Sequence, residues 1–116
     1  KDLEKSDPDG SVVGFPLRDT KFLGKTIPAA GGFYLRSLPL KIIKNAIKSY
    51  QYQEIPTSMY IHSWELTPEY FPQIKLPKKN KFITFYKIQK TFSKMNKLLE
   101  EFEFTSFNRY YKKKYE

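Results

Sequence analysis

The chain has 116 residues, enough for one small domain that buries roughly two-thirds of the surface exposed by its unfolded form. It has no Cys and one His, which excludes disulfides, thiolate metal sites and a paired-histidine metal centre supplied by this chain alone. No uncharged apolar run of about 18 residues is present, so no membrane span is predicted.

Positive charge is concentrated in the second half of the chain, and the formal net charge is +9. Eight Lys and no Asp or Glu lie between Tyr70 and Leu99, and four further cations lie between Arg109 and Lys114. Such a face attracts nucleic acid, an anionic glycan or an anionic membrane. Lysine without clustered arginine is poorly suited to reading bases, so no nucleic-acid partner is expected. The plainer interpretation is that these lysines keep an aromatic-rich domain soluble.

Little regular structure is predicted for the first third of the chain. Residues 1–11 are polar and end in the turn signal Asp7-Pro8-Asp9-Gly10, so they are interpreted as a disordered or linker start. Val12–Leu17 is predicted as a short edge strand, because it is β-branched and aromatic with a proline near its end. A loop then leads to the Gly31-Gly32 pair, where glycine permits positive φ and close approach of another group.

A helix and a strand are predicted next. Apolar residues recur at helical spacing from about Pro39 to Tyr50, with lysines on the opposite face, which indicates an amphipathic helix. Thr57–His62 then alternates as a strand does, with Met59 and Ile61 on one side and Tyr60 and His62 on the other. The only His and the only Trp of the chain therefore lie at the end of this strand.

Two strands and one helix are predicted for the second half of the chain. Phe82–Ile88 is predicted as an aromatic strand, about Lys90–Glu101 as a second amphipathic helix, and Phe102–Phe107 as a final strand. Residues 108–116 are predicted to be a basic, disordered tail. Two helices and three or four short strands in this order indicate an α/β class, or α+β as an isolated piece, in the form of a partial β/α-barrel closing segment.

Five segments, in this order, resemble the C-terminal portion of NodB-like polysaccharide deacetylases. The most similar group is associated with exopolysaccharides and carries an extra C-terminal domain of unassigned function. Residues 12–107 carry the resemblance, and they depart from the family pattern at Phe33, Ser63 and Thr84, where Gly, Pro and His are usual. The matching segments are Phe15-Pro16-Leu17, Gly31-Gly32-Phe33-Tyr34-Leu35-Arg36-Ser37-Leu38-Pro39, Tyr60-Ile61-His62-Ser63-Trp64-Glu65-Leu66, Phe82-Ile83-Thr84-Phe85-Tyr86 and Leu98-Leu99-Glu100-Glu101-Phe102-Glu103-Phe104-Thr105.

The resemblance implies hydrolysis of N-acetyl groups on a polysaccharide. In such enzymes a metal-activated water attacks the amide, a carboxylate acts as base, and a histidine protonates the departing amine. The resemblance assigns that histidine to His62, and imidazole suits the role because it titrates near neutrality. It also implies a divalent, zinc-like metal in the full-length protein, held by residues upstream. This chain is expected to hold no metal, to be inactive alone, and to meet its substrate together with that upstream catalytic region.

Three further residues are candidates for substrate binding. Arg36 either binds a substrate group or forms a structural salt bridge that pins the loop. Trp64 either stacks on a sugar ring or fills the core, and Tyr34 either contacts substrate or packs. Glu65 either orients His62 or begins a solvated loop, and the solvated loop is the interpretation favoured here.

Two other functions compete with the deacetylase assignment. One is a stand-alone basic module that binds an anionic glycan, nucleic acid or a membrane surface through the lysines from Lys75 to Lys97. The other is a structural subdomain that covers the bottom of a barrel or mediates assembly. The sequence leaves open a cytoplasmic or a cell-envelope location, and leaves the oligomeric state open.

Overall fold

A computed structural model describes residues 4–5 and 12–116. Residues 1–11 were predicted to be a disordered or linker start, and most of them lie outside the described residues. The exception is Glu4–Lys5, which forms a short strand. The elements, in chain order, are strands β1 (Glu4–Lys5), β2 (Val13–Gly14), β3 (Asp19–Phe22) and β4 (Lys25–Pro28), helices α1 (Gly32–Ser37), α2 (Leu40–Tyr52) and α3 (Ser63–Leu66), a 3₁₀ helix (Pro68–Tyr70), and helices α4 (Lys78–Phe85), α5 (Lys90–Glu101) and α6 (Phe107–Tyr115).

The described strands form two small antiparallel pairs, β1 with β2 and β3 with β4. The predicted edge strand Val12–Leu17 is therefore only two residues long. The hairpin β3–β4 lies where a loop was expected, and it turns through Leu23 and Gly24, which both have positive φ (49° and 76°). Two successive positive φ values match the twist of a two-residue hairpin, and glycine favours that conformation.

Helices α2 and α5 confirm the two amphipathic helices that the sequence predicts. Ile43 and Ile47 of α2 are buried together with Leu98 of α5 and Phe102, the residue that follows α5. Leu35 of α1 and Leu38, the residue after α1, are the remaining buried members of this core cluster. The apolar spacing of both helices thus marks faces that meet each other, as expected if the two helices pack within one domain. Together with the short antiparallel pairs, this packing confirms the α+β class.

The predicted strand Thr57–His62 is reduced to one bridge. Tyr60 pairs in parallel with Gly31, and the Tyr60 backbone N–H donates to the Ala30 carbonyl at 2.8 Å. A connection through α1 and α2 separates these two residues, as parallel pairing requires. The bridge therefore places the start of α1 beside the start of α3, and the candidate site forms at this junction.

Phe82–Ile88 is helical over its first half, so the prediction of a strand there is wrong. Helix α4 ends at Phe85, and Lys87 then turns the chain with a φ of 51°. Arg36 explains why the helix is stable: its guanidinium donates to the carbonyls of Ile83 (2.6 Å), Thr84 (2.9 Å) and Tyr86 (2.7 Å). These carbonyls, at the end of the helix, have no partner within it. An arginine far away in the sequence thus supplies the hydrogen-bond donors that the end of this helix lacks.

The C-terminal segments also differ from the prediction. Residues 103–106 are irregular where a final strand was predicted, and α6 covers most of the region predicted as a disordered tail. Ser106 caps α6 by accepting a hydrogen bond from the Arg109 backbone N–H at 3.3 Å. Phe15 stacks on Phe107 with ring centroids 4.5 Å apart, which anchors the helix to the N-terminal part of the chain. Lysines in its last turn complement the helix dipole.

Candidate active site

His62 is the residue immediately before α3, and the third residue of that helix holds it. The Glu65 carboxylate accepts a hydrogen bond from the His62 backbone N–H, with 2.7 Å between nitrogen and Oε2. The same oxygen lies 3.3 Å from Nδ1 of the His62 ring. The carboxylate thus satisfies a free N–H at the start of the helix and orients the imidazole at the same time.

Glu65 is buried, so the prediction that it begins a solvated loop is wrong. Its side chain is 3% exposed, and its Oε1 forms an ion pair with Arg36, whose side chain is 1% exposed. The other donors of Arg36 bind the carbonyls at the end of α4, as described above. Both buried charges therefore have partners, as burial requires. The guanidinium is positioned to orient Glu65, and the structural salt bridge is the role that the geometry gives it.

Gly32 makes room for this ion pair. A Cβ atom at position 32 would lie 2.6 Å from the carboxyl carbon of Glu65, closer than real side-chain contacts. At Gly31 the nearest atom to such a Cβ would be Cδ2 of Tyr34, at an ordinary 3.6 Å. The expected close approach is therefore found at one of the two glycines. Neither of them has positive φ, because Gly31 is extended and Gly32 begins a helix.

The hydrogen-bond partners of His62 predict its tautomer. An ionised carboxylate accepts hydrogen bonds and cannot donate them, so Nδ1 of His62 carries a proton toward Glu65. This leaves Nε2 toward Tyr60, whose hydroxyl oxygen lies 2.8 Å away. Both ring nitrogens are thus engaged, one by a buried carboxylate and the other by a phenol.

Aromatic rings flank the imidazole. Tyr60 meets it edge-on with centroids 4.8 Å apart, and Trp64 stacks on it at 5.4 Å with 20° between the planes. Trp64 in turn meets Phe71 edge-on at 5.3 Å. The His62 side chain nevertheless remains 47% exposed. The imidazole is held from the inside and is open to solvent from the outside, as a group that exchanges protons with a substrate must be.

The structure brings together three of the four residues predicted for the site. Arg36 and His62 both contact Glu65, and Trp64 stacks on His62. Tyr34, by contrast, packs against the core cluster and meets Phe33 edge-on at 5.4 Å. Tyr60 was not among the predicted residues. The alternation of Thr57–His62 already places it on the same side as His62, and that was the signal from which it could have been found.

A bound metal ion needs several protein ligands that lie close together. Among residues 4–5 and 12–116, no three His, Cys, Asp or Glu side chains lie close enough together to hold one. Within the same residues, no helix has both the length and the apolarity needed to span a membrane.

The lysine-rich region forms a separate surface on α4, α5 and the segments beside them. Seven of its eight lysines are exposed, namely Lys75, Lys78, Lys79, Lys81, Lys87, Lys90 and Lys97. Lys94 is the exception, because its Nζ donates to the carbonyls of Arg36 (3.1 Å) and Leu38 (2.6 Å) at the end of α1. Burial lowers the pKa of Lys94, and the nearby ammonium groups of Lys87, Lys90 and Lys97 lower it further.

An open groove of about 960 Å³ lies between α6 and the segment that follows α2. Phe15, Phe107 and Tyr110 line it together with the cations Arg109 and Lys113. The ammonium group of Lys114 donates to the Glu54 carbonyl at 3.3 Å, which links α6 to the end of α2. This groove belongs to the C-terminal helix and is distinct from the surroundings of His62.

Comparison with known proteins returned no match among curated proteins and no match among solved structures. One family model does match, over residues 2–112, and that family is described as Domain of unknown function (DUF3473). Because the match spans nearly the whole chain, the protein belongs to the Domain of unknown function (DUF3473) family.

Proposed function

We propose that this chain is the C-terminal region of a NodB-like carbohydrate N-deacetylase and that His62 is its proton donor. The observation that carries the proposal is the environment of His62: the ring is open to solvent while a buried carboxylate holds its Nδ1. A histidine with a purely structural role does not need both a fixed orientation and a ring that is open to solvent. A general acid needs both.

The chemistry explains why such a donor is required. Hydrolysis of an N-acetylated amino sugar passes through a tetrahedral intermediate from which nitrogen must leave. Nitrogen leaves poorly as an anion, so it must receive a proton as the carbon–nitrogen bond breaks. The positive charge of a protonated His62 is stabilised by Glu65, which is itself fixed by Arg36. The attack of water is assigned to residues outside this chain.

The shape of the chain also supports a role as part of a larger enzyme. Its radius of gyration is 16.0 Å, whereas a compact domain of this length has about 13 Å. Large apolar side chains are exposed on several elements, including Phe82 on α4, Phe92 on α5 and Phe107 on α6. A neighbouring region that covers these side chains would remove them from water.

The test uses the complete natural protein that contains this chain. Acetate release is measured from oligomers of N-acetylglucosamine, N-acetylgalactosamine and N-acetylmannosamine. We expect one of them to be deacetylated, and we expect His62→Ala and His62→Gln to lower kcat about 10²–10⁴-fold while bound metal is unchanged. Glutamine is the matched control, because it restores a hydrogen-bonding side chain that cannot deliver a proton. Recovery of activity in His62→Gln, or no activity of the wild type on any oligomer, would contradict the proposal.

The second candidate is a basic module that binds an anionic glycan, and the seven exposed lysines around α4 and α5 favour it. Its affinity is expected to fall steeply with salt, because binding releases counterions, and to be indifferent to His62→Ala. Binding to polygalacturonate at two salt concentrations, with the wild type and with His62→Ala, distinguishes it from the deacetylase. Binding that does not depend on salt would eliminate this candidate.

A further inference from the structure

We propose that Tyr60 is a second catalytic residue, which passes the proton of His62 to the departing nitrogen of the substrate. The inference rests on the proposed function and adds a step to it. Its starting point is that Nε2, the nitrogen from which His62 would donate, is not free. The Tyr60 hydroxyl oxygen lies 2.8 Å from it, within the range over which protons are transferred.

The protonation state of His62 decides what Tyr60 can do. When the imidazole is neutral, Nδ1 keeps its proton toward Glu65, so Nε2 accepts a hydrogen bond from the Tyr60 hydroxyl. When the imidazole is protonated, Nε2–H donates to the Tyr60 oxygen instead, and the hydroxyl proton is released to point outward. Only the protonated site therefore presents a hydrogen-bond donor to a substrate, and that donor is Tyr60.

The carbon–nitrogen bond of the tetrahedral intermediate breaks, its electron pair stays on nitrogen, and nitrogen takes the hydroxyl proton of Tyr60. The Tyr60 oxygen takes the Nε2 proton of His62 in the same step. For an intermediate with one charged oxygen, the products are acetic acid, which then releases its proton to solvent as acetate forms, a free amine, an intact phenol and a neutral imidazole that still carries its Nδ1 proton. One proton from solvent returns His62 to its starting state.

The backbone holds the two donors in register. Tyr60 is fixed by its parallel bridge to Gly31, and His62 by the bond from its backbone N–H to Glu65. The two residues lie on the same side of an extended segment, so their side chains meet without a loop that must close. Tyr60 is 52% exposed, which leaves its hydroxyl accessible to a substrate. Neither position depends on the exposed lysines.

The test compares Tyr60→Phe with Tyr70→Phe in the complete natural protein, on whichever of the three oligomers the wild type deacetylates. Tyr70 is the matched control, because it is 81% exposed and lies on the 3₁₀ helix after α3. We expect Tyr60→Phe to lower kcat about 10²-fold with KM nearly unchanged, and Tyr70→Phe to match the wild type.

A second readout separates proton transfer from a structural effect. Single-turnover rates are measured in mixtures of light and heavy water, which report how many protons move in the rate-limiting step. The wild type should give a curved dependence on deuterium content, because two protons move together. Tyr60→Phe should give a straight line, because only the His62 proton remains.

Each other outcome has a distinct meaning. If the wild type deacetylates none of the oligomers, the proposed function fails and the relay fails with it. If the wild type is active, His62→Gln is inactive and Tyr60→Phe is as fast as the wild type, the relay alone is overturned. The relay is also overturned if Tyr60→Phe is slow but its rate still shows a curved dependence on deuterium content. Tyr60 would then serve only to position His62.

Discussion

The two charged regions of this chain are built in opposite ways. Around His62, a buried arginine and a buried glutamate form an ion pair, and the arginine also binds three backbone carbonyls. In the lysine-rich region of α4, α5 and the segments beside them, by contrast, seven of eight lysines lie in solvent. In the first region, hydrogen bonds and an ion pair hold each charged side chain in one orientation. In the second region, many positive charges lie close together on side chains that are exposed. A proton donor requires the first arrangement, while attraction of an anion requires only the second.

Lys94 connects the two regions. It belongs to the lysine-rich sequence, yet its ammonium group closes the end of α1 by binding the carbonyls of Arg36 and Leu38. The end of α1 carries the arginine that holds Glu65. A residue that the sequence assigns to the charged surface is thus part of the support for the site. The variants below test how far this contrast between fixed and free charges extends.

Removal of the buried arginine should have the largest effect. Arg36→Met leaves the Glu65 carboxylate buried without a cation and leaves three carbonyls without a donor, so we expect a loss of about 3–5 kcal/mol in the free energy of unfolding. Arg109→Met is the matched control on the exposed side of α6, and it should change stability by less than about 0.5 kcal/mol. Urea unfolding measures both. Equal losses would remove the distinction between the two regions.

The glycine pair gives the next largest effect. Gly32→Ala forces a methyl group into the Glu65 carboxylate, and such overpacking costs about 1–3 kcal/mol. Gly31→Ala adds the same methyl group where space exists, so its stability should stay within about 1 kcal/mol of the wild type. The difference between the two unfolding free energies is the measured quantity. A Gly31→Ala variant that is the less stable of the two would contradict the packing described for Glu65.

Two of the three lysines of α5 sharpen the comparison at constant charge. Lys94→Met removes two hydrogen bonds at the end of α1 and should lower stability by about 1–2 kcal/mol. Lys97→Met removes an equal charge from an exposed position and should be nearly neutral. The measurement is again the free energy of unfolding. If the two variants are equally stable, Lys94 behaves like the exposed lysines and does not support the end of α1.

The exposed ion pair between α2 and α5 should give the smallest effect. Hydrogen bonds from Lys44 and Lys48 hold the pKa of Glu101 below its usual value of 4.5. Stabilisation by Glu101 is therefore complete above about pH 5 and is lost as pH falls through the lowered folded-state pKa. Glu101→Gln should be slightly less stable than the wild type near neutrality, and the two melting temperatures should converge in acid. A gap that widens in acid would contradict this sign.

The sequence predicts well the elements whose pattern is local. Helix Lys90–Glu101 has the predicted bounds, and α2 starts and ends within two residues of its predicted limits, because in both cases apolar periodicity marks the buried face. Helix α4 could not be predicted in this way. Its last carbonyls are satisfied by Arg36, 50 residues away from Tyr86, and no local signal contains that interaction.

The candidate site, too, can be predicted from the sequence only where the signal is local. The importance of His62 follows from its position at the end of an extended segment, and the pairing of Tyr60 with it follows from strand alternation. The burial of Glu65 does not follow from neighbouring residues. It depends on a cation from α1 and on the missing side chain of Gly32, and both come within reach only after the Gly31–Tyr60 bridge forms.

The central claim is that a buried carboxylate fixes His62 as an oriented proton donor. Because His62 is the only histidine, nitrogen NMR of protein labelled with ¹⁵N-histidine reports its tautomer without ambiguity. At about pH 9 we expect the proton on Nδ1, facing Glu65, and not on Nε2 as free imidazole side chains prefer. A proton on Nε2 in the folded protein would contradict the account.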